Sequence, residues 1–155
     1  MKKVLIPVIV FFVIVVGSII FFVGSSYQLT QYTKATHYHV NTVIAGGSLE
    51  TEYDGVRTQI VGRNLQRVEW VLDIFAKQRI RRVPEINEDE AIYFYFSDSA
   101  EYILAKDPED NNSVYIFYEY KNMKMRFHLE GYMAWDWATK AVSPDGIYIE
   151  NIVLD

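Results

Sequence analysis

The sequence begins with an uncharged apolar run, VLIPVIVFFVIVVGSIIFFV, at residues 4–23. As a helix, a run of this length would rise roughly 30 Å at about 1.5 Å per residue, which matches the hydrocarbon thickness of a bilayer. A helix also satisfies its own backbone hydrogen bonds, which lipid cannot do. The run therefore predicts a single transmembrane helix. Residues 1–23 would form a signal-anchor that binds the lipid bilayer through residues 4–23.

Basic residues flank this run asymmetrically. Lys2 and Lys3 precede it, and the first basic residue that follows it is Lys34. The positive-inside rule then predicts a cytoplasmic N-terminus and a single-pass protein of the cell membrane with its domain outside. The alternative is a secreted domain released by signal-peptide cleavage near Val23 and Ser25. The run is longer than the ~7–15-residue core of a signal peptide, which favours a retained anchor.

Composition limits the chemistry that the remaining residues can perform. The chain has 155 residues, a formal net charge of −5 and no cysteine. Because Lys2 and Lys3 precede the apolar run, the part beyond it is more acidic still, and nucleic-acid phosphates would repel it. The lack of cysteine excludes disulfides, thiol nucleophiles, cysteine-ligated zinc and a lipid-modified cysteine. The roughly 120 residues after the first 34 suit one domain.

The first part of the soluble region is predicted as a linker followed by strands. Residues 24–34 are polar and indicate a short spacer, so the extracytoplasmic domain is expected to span residues 35–155. Residues 37–44, HYHVNTVI, are rich in β-branched and aromatic side chains and predict a strand. Asp54-Gly55 separates two further strand-like runs, and both residues accept positive φ, so a tight hairpin is expected there.

One soluble helix is predicted at residues 62–78. Its apolar residues recur at spacings of three and four, which places them on one helical stripe. These residues are Leu65, Val68, Val71, Leu72 and Phe75. Pro84 ends the helix before it, because the residue that precedes a proline is pushed to an extended conformation.

From Ala91 onward the apolar period becomes two, which is the period of a strand. Strands are predicted at residues 91–96, 101–106, 114–120 and 123–129, a short helix at 132–142 and a last strand at 147–154. In MKMRFHL, Met125 and Phe127 alternate with Lys124, Arg126 and His128. Such alternation predicts a sheet with one face buried in the core and the other face exposed to solvent. The fold class is α+β: a largely antiparallel β-sheet with one main helix packed on one face.

The order of DGVRTQIVGRNLQRVEWVLDIF, IYFYF and VYIFYEYKNMKMRFHLEGY resembles a family of small membrane-anchored or lipidated extracytoplasmic domains of Gram-positive bacteria, of uncharacterised function. The resemblance covers roughly residues 48–142. It implies an extracytoplasmic location and an α+β fold, and it implies no functional residue. Lipidated members carry a cysteine after the apolar run, which this chain lacks.

Four positive charges within six residues stand out in this acidic domain. They are Lys77, Arg79, Arg81 and Arg82. Such a cluster predicts a contact for an anionic envelope polymer or for lipid headgroups. The alternative is that they complement the dipole at the end of the predicted helix and continue into an exposed strand.

Trp135-Asp136-Trp137 follows Glu130 closely and suggests a sugar platform beside a carboxylate. Hydrolysis of a glycoside would need two carboxylates about 5–9.5 Å apart, with Glu130, Asp136 and Asp145 as candidates. The alternative places one tryptophan in the core and the other over it.

Two incomplete motifs suggest metals. His37 and His39 would share one face of the predicted strand, with His128 or an acidic residue as a third ligand. The oxygen-rich residues 107–113 resemble a calcium loop, but the glycine and glutamate that an EF-hand requires are missing from their positions. We therefore predict neither a metal nor a cofactor.

No phosphate loop, dinucleotide fingerprint or nucleophile elbow occurs in the sequence. The function predicted is that of a non-enzymatic interaction module that contacts an envelope protein or polymer. A domain that binds a small ligand between helix and sheet is the first alternative. An envelope carbohydrate hydrolase is the second.

Overall fold

The computed structural model describes residues 2–73, 77–79, 86–130 and 134–143. Within these residues the chain forms three helices, seven strands and one 3-10 turn. The helices are α1 (Lys2–Ile44), α2 (Arg63–Asp73) and α3 (Ala134–Val142). The strands are β1 (Leu49–Tyr53), β2 (Val56–Gln59), β3 (Lys77–Arg79), β4 (Ala91–Phe96), β5 (Glu101–Lys106), β6 (Val114–Tyr120) and β7 (Met123–Leu129), and the 3-10 turn is Glu88–Glu90.

The strands form one sheet in the order β2-β1-β4-β5-β6-β7-β3, and every neighbouring pair is antiparallel. The α+β class and the largely antiparallel sheet are thus confirmed. The predicted Asp54-Gly55 hairpin is confirmed as well, with φ of 51° and 68° at its two central residues. Positive φ at both positions matches the right-handed twist of the strands that the turn joins.

The predicted alternation along β7 is confirmed for Lys124, Met125, Arg126 and Phe127. His128, predicted to face solvent, is only 18% exposed and lies 2.7 Å from Asp107. Phe127 is 2% exposed and pairs with Ile116 of β6, while Lys124 and Arg126 are exposed on the other face. Met125 is half-buried against the core beside Tyr118. Because a slip by one residue would exchange these two sets of side chains, burial fixes the register of the β6–β7 pair.

The predicted strand at residues 37–44 is wrong, because these residues lie within α1. Residues 24–34, which were predicted as a linker, are part of the same helix. Extending an existing helix costs much less than nucleating a new one. The second half of α1 also has its own buried stripe, with spacings of three and four residues. Its buried residues are Tyr32, Thr36, His39 and Val40.

Helix α1 therefore has two halves of different character. The large apolar side chains of residues 9–23 are 38–70% exposed, and the helix is long and apolar enough to cross a membrane. From Tyr32 onward the same helix contributes to the hydrophobic core. The expectation of one main helix on the sheet is corrected accordingly, since α1 packs there together with α2 and α3.

Helix α2 is shorter than predicted. It ends at Asp73, and Lys77 and Gln78 belong to edge strand β3, where Lys77 pairs with Leu129. Pairing with β7 satisfies backbone groups that a longer helix would have satisfied internally. The predicted apolar stripe is confirmed at the four buried positions of α2, which are Leu65, Val68, Val71 and Leu72. Phe75 lies outside the described residues.

Helix α3 covers most of the predicted helix at residues 132–142, and it packs against α2. Edge-on ring contacts join Trp70 to Trp137 at 5.4 Å and Tyr53 to Trp135 at 5.9 Å between centroids. The core thus lies between one face of the sheet and the three helices. The predicted last strand at residues 147–154 lies outside the described residues.

Candidate functional site

A buried histidine joins α1 to the sheet. His39 has no exposed surface; its Nδ1 lies 2.6 Å from Asp98 Oδ2 and its Nε2 lies 2.9 Å from the Tyr118 hydroxyl. Because the carboxylate can only accept, Nδ1 donates to Asp98, and Nε2 shares a hydrogen bond with the Tyr118 hydroxyl. Both ring nitrogens are hydrogen-bonded within the protein. His39, Asp98 and Tyr118 therefore hold α1 against the sheet.

Tyrosines continue this network toward the first half of α1. The Tyr32 hydroxyl donates to the carbonyl of Leu72 at 2.7 Å, and the hydroxyls of Thr36 and Tyr102 lie 3.1 Å apart. The Tyr32 ring also contacts Phe127, with 4.8 Å between centroids. Burial is the main cause that raises the pKa of Tyr32 and Tyr102 above the ordinary value. These phenols therefore stay neutral and act as hydrogen-bonding core residues.

The structure does not bring together the three histidines that the sequence suggested as metal ligands. His37 and His39 lie on a helix, where positions two apart point in different directions. The His37 side chain is 70% exposed and lies 3.0 Å from Glu69, whereas His39 is buried, and His128 lies on the opposite face of the sheet. Among the described residues, no group of three or more His, Asp and Glu side chains is arranged to hold a metal ion.

The oxygens of residues 107–113 shape the loop itself. Asp107 Oδ1 accepts from the amide of Glu109 at 2.9 Å, and its Oδ2 lies 2.7 Å from His128 Nε2. Asp110 accepts from the amide of Asn112 at 3.0 Å and from the Ser113 hydroxyl. These carboxylates thus serve as turn-forming acceptors, which accounts for the polar composition of the loop.

The structure places only part of the predicted basic cluster. Lys77 and Arg79 lie in edge strand β3, and Arg81 and Arg82 lie outside the described residues. The alternative role for Lys77, which was to complement the helix dipole, does not fit a residue that pairs in a sheet. A contact between the cluster and an anionic polymer or lipid stays a prediction.

The two predicted platform tryptophans are separated. Trp135 is 8% exposed and belongs to the core, whereas Trp137 is half-buried against Trp70. Two rings that point in different directions cannot stack on one sugar. Among the candidate carboxylates, Glu130 and Asp136 are exposed and Asp145 lies outside the described residues.

The sheet face opposite the core carries an aromatic stripe that sequence reasoning did not single out. The pairing places Tyr93, Ile103 and Phe117 side by side on β4, β5 and β6, and all three are half-buried. The same row continues to Glu52 on one side and to Arg126 on the other. We call this surface the open face. Its sequence signal was the presence of aromatic residues at both parities of AIYFYF and VYIFYEY.

Charge is distributed unevenly across the open face. The β1 side carries Glu50 and Glu52, and the β7 side carries Lys124 and Arg126. Arg57 lies 3.3 Å from Glu50 and sits over the Tyr95 ring at 4.6 Å, so its charge is partly neutralised. Lys124 lies 2.7 Å from Glu119 of β6, which the pairing places on the same face beside Glu101. The open face therefore offers one apolar row between Glu52 and Arg126 and, beside it, a row that is mainly acidic.

No protein-family model matches the chain, and comparisons with curated proteins and with solved structures find no match. The resemblance to anchored domains of Gram-positive bacteria accordingly stays a prediction.

Proposed function

We propose that the protein is a single-pass membrane protein that carries an extracytoplasmic interaction module. In this proposal the first half of α1 spans the cell membrane, with the N-terminus in the cytoplasm. The second half of α1 is the core helix of a non-enzymatic domain that contacts an envelope protein through its open face. Expected partners are thus the bilayer and a protein of the envelope, with an anionic polymer as the alternative.

The exposure of α1 is the observation that carries this proposal. Its apolar side chains are exposed through residues 9–23 and then become buried on one side from Tyr32 onward. Exposing so much contiguous apolar surface to water would be costly, and a bilayer removes that cost. Lys2 and Lys3 before the apolar half supply the orientation, because basic residues remain on the cytoplasmic side.

The open face is the surface best suited to a protein partner. Aromatic side chains are enriched at the centres of interfaces, and charged residues are found mostly at their rims. Tyr93, Ile103 and Phe117 supply such a centre, and Glu52 and Arg126 lie at its margins. A partner of complementary charge would have its orientation fixed by Glu52 and Arg126.

The small-ligand alternative changes its location. The helix–sheet interface is filled by side chains that are at most 3% exposed, among them Val40, Val68 and Leu104. The space left for a ligand lies at the edge of this interface, in a pocket of about 260 Å³ lined by Val43 of α1, Leu65 of α2 and Ile60. A small ligand in that pocket is the alternative function.

Protease added to intact spheroplasts tests the anchoring. We expect protease to digest the domain and to leave a short membrane-bound fragment that contains the first half of α1. A matched variant with Lys2→Glu and Lys3→Glu should weaken the orientation signal and protect a fraction of the chains. Survival of the full-length wild type, or its release into the medium, would contradict the proposal.

A photo-crosslinking residue at Phe117 tests the interaction surface, with the same residue at exposed Gln66 of α2 as the matched control. We expect a crosslinked adduct with an envelope protein from position 117 and a much weaker one from position 66. Equal adducts from both positions, or none from either, would contradict a role for the open face.

A further inference from the structure

A pocket of about 250 Å³ lies where the β1–β2 turn meets the 3-10 turn that precedes β4. Tyr93 and Tyr95 line it from β4. Four carboxylates line it as well: Glu52, Asp54, Glu88 and Asp89. Among the described residues of its lining there is no lysine, arginine or histidine. The pocket therefore combines aromatic surface with concentrated negative charge.

The fold places these groups together. The β1–β4 pairing sets Glu52 opposite Tyr93. Asn87 shapes the 3-10 turn, because its side chain accepts from the amide of Asp89 at 3.3 Å. Burial, followed by the nearby charges of Glu88 and Glu52, raises the pKa of Tyr93, so the phenol stays neutral beside these carboxylates. The pocket is polar and acidic, and its aromatic side chains are uncharged.

The protein already holds one cation in this way next to the pocket. The Arg57 guanidinium lies 4.6 Å from the centre of the Tyr95 ring, and its Nε lies 3.3 Å from Glu50 and 4.0 Å from Glu52. The rings of Tyr93 and Tyr95 are nearly parallel, with 6.3 Å between centroids. A guanidinium over an aromatic face and beside carboxylates is favourable because charge and ring quadrupole attract it together.

We propose that this pocket binds a small organic cation, whose ammonium or guanidinium group contacts the Tyr93 ring and the carboxylates of Glu88 and Asp89. A bare divalent ion would use the carboxylates alone, so the tyrosine ring distinguishes an organic cation from a metal ion. The volume suits an alkylammonium group or a polyamine end. The proposal stands independently of membrane anchoring and of the partner on the open face.

Isothermal titration of the full chain in neutral detergent micelles with spermidine tests the proposal. We expect saturable binding at one site. Tyr93→Leu should weaken it about tenfold, because the cation–ring attraction is lost, and Tyr93→Phe, which keeps the ring, should retain it. Glu88→Gln should also weaken binding. Glu109→Gln is the matched control, since it removes an exposed carboxylate elsewhere and should change the affinity less than twofold.

Circular dichroism checks that each variant is folded. If Tyr93→Leu does not fold, the two separate variants Tyr93→Phe and Glu88→Gln still test the proposal. Three results would overturn it. The first is an absence of saturable binding. The second is an equal loss from Glu109→Gln and Glu88→Gln, which would indicate diffuse charge attraction. The third is displacement of spermidine by equimolar Mg²⁺, which would indicate an inorganic cation site.

Discussion

Nδ1 of His39 lies 2.6 Å from a carboxylate oxygen of Asp98 and connects the C-terminal end of the long helix to the β4–β5 turn. The imidazole has no exposed surface, and its other nitrogen is hydrogen-bonded to Tyr118. One side chain thus satisfies a carboxylate from the β4–β5 turn and a phenol from β6.

His39→Leu should therefore destabilise the domain by about 2–4 kcal/mol, because Asp98 and Tyr118 would each lose a hydrogen-bond partner at a buried site. Urea unfolding of the full chain in micelles, followed by tryptophan fluorescence, measures this loss. His37→Leu is the matched control, because that side chain is 70% exposed and its hydrogen bond with Glu69 lies at the surface. It should change the free energy of unfolding by less than about 0.5 kcal/mol. Equal losses would contradict a special role for His39.

Leu72→Ala should cost about 2–5 kcal/mol through lost transfer energy and the cavity left behind. Leu72 is fully buried in α2, and its carbonyl accepts the Tyr32 hydroxyl, so the site has little freedom to collapse. The same urea unfolding experiment measures this loss. Gln66→Ala is the control, because Gln66 is exposed, and it should change the free energy of unfolding by less than about 0.5 kcal/mol. A loss below about 0.5 kcal/mol at Leu72 would mean that the α2 stripe is not part of the core.

Phe127→Asp should unfold the domain, whereas Arg126→Asp should leave its stability within about 0.5 kcal/mol. Phe127 is 2% exposed and packs on Tyr32, so aspartate there would bury an unpaired carboxylate. Arg126 is exposed on the open face. Circular dichroism of the two variants compares them directly. If both are equally disruptive, Arg126 has a structural role that its exposure does not reveal.

The stability of the domain should fall above about pH 10, where an ordinary tyrosine ionises. Burial is the first cause that raises the pKa of Tyr32, Tyr102 and Tyr118 in the folded chain. Above pH 10 the unfolded chain therefore loses phenolic protons that the folded chain retains, and the unfolded state gains stability by up to about 1.4 kcal/mol per pH unit for each tyrosine. Below that pH these groups contribute no pH dependence.

Denaturation at stepped alkaline pH, with phenolate absorbance recorded alongside, measures this slope. Tyr102→Phe should reduce the slope by up to about 1.4 kcal/mol per pH unit, because it removes one of the tyrosines whose pKa the fold raises. An unchanged slope in this variant would contradict the assignment of alkaline unfolding to the buried phenols.

The strands after Ala91 could be predicted from the sequence because burial on one face imposes a period of two. The second half of α1 could not, because its buried stripe includes polar residues. Thr36 and His39 are buried through hydrogen bonds to Tyr102 and Asp98, and those partners are about 60 residues distant in sequence. Local propensity favoured a strand there, and tertiary contacts overrode it.

The candidate sites show the same division. The acidic pocket depends on the β1–β4 pairing, which joins Glu52 to Tyr93 across a gap that no local pattern spans. The tryptophan platform failed because α3 directs Trp135 into the core, where it contacts Tyr53. The sequence shows which residue types are present. Which of them lie side by side depends on the order in which the strands pair, and local sequence does not predict that order.

The continuity of α1 should fix the distance between its first half and the sheet. The chain lacks cysteine, so spin labels at Ser18→Cys and Glu109→Cys report that distance without background. We expect a narrow distribution in the parent chain. Insertion of Gly-Gly-Ser after Gly24 should broaden it, because the insert interrupts the helix. Thermal unfolding should be unchanged by the insert, which is the control for an intact core. Equally broad distributions in both chains would contradict a rigid connection.

An unbroken helix also sets the rotational orientation of the domain about the axis of α1. Each residue added between Val23 and Tyr32 would turn the sheet by about 100° around the helix axis and move it by about 1.5 Å along that axis. The residue count of this short segment therefore selects which way the open face points relative to whatever holds the first half of α1. Insertions of one or two residues would redirect the face, and an insertion of seven would nearly restore it.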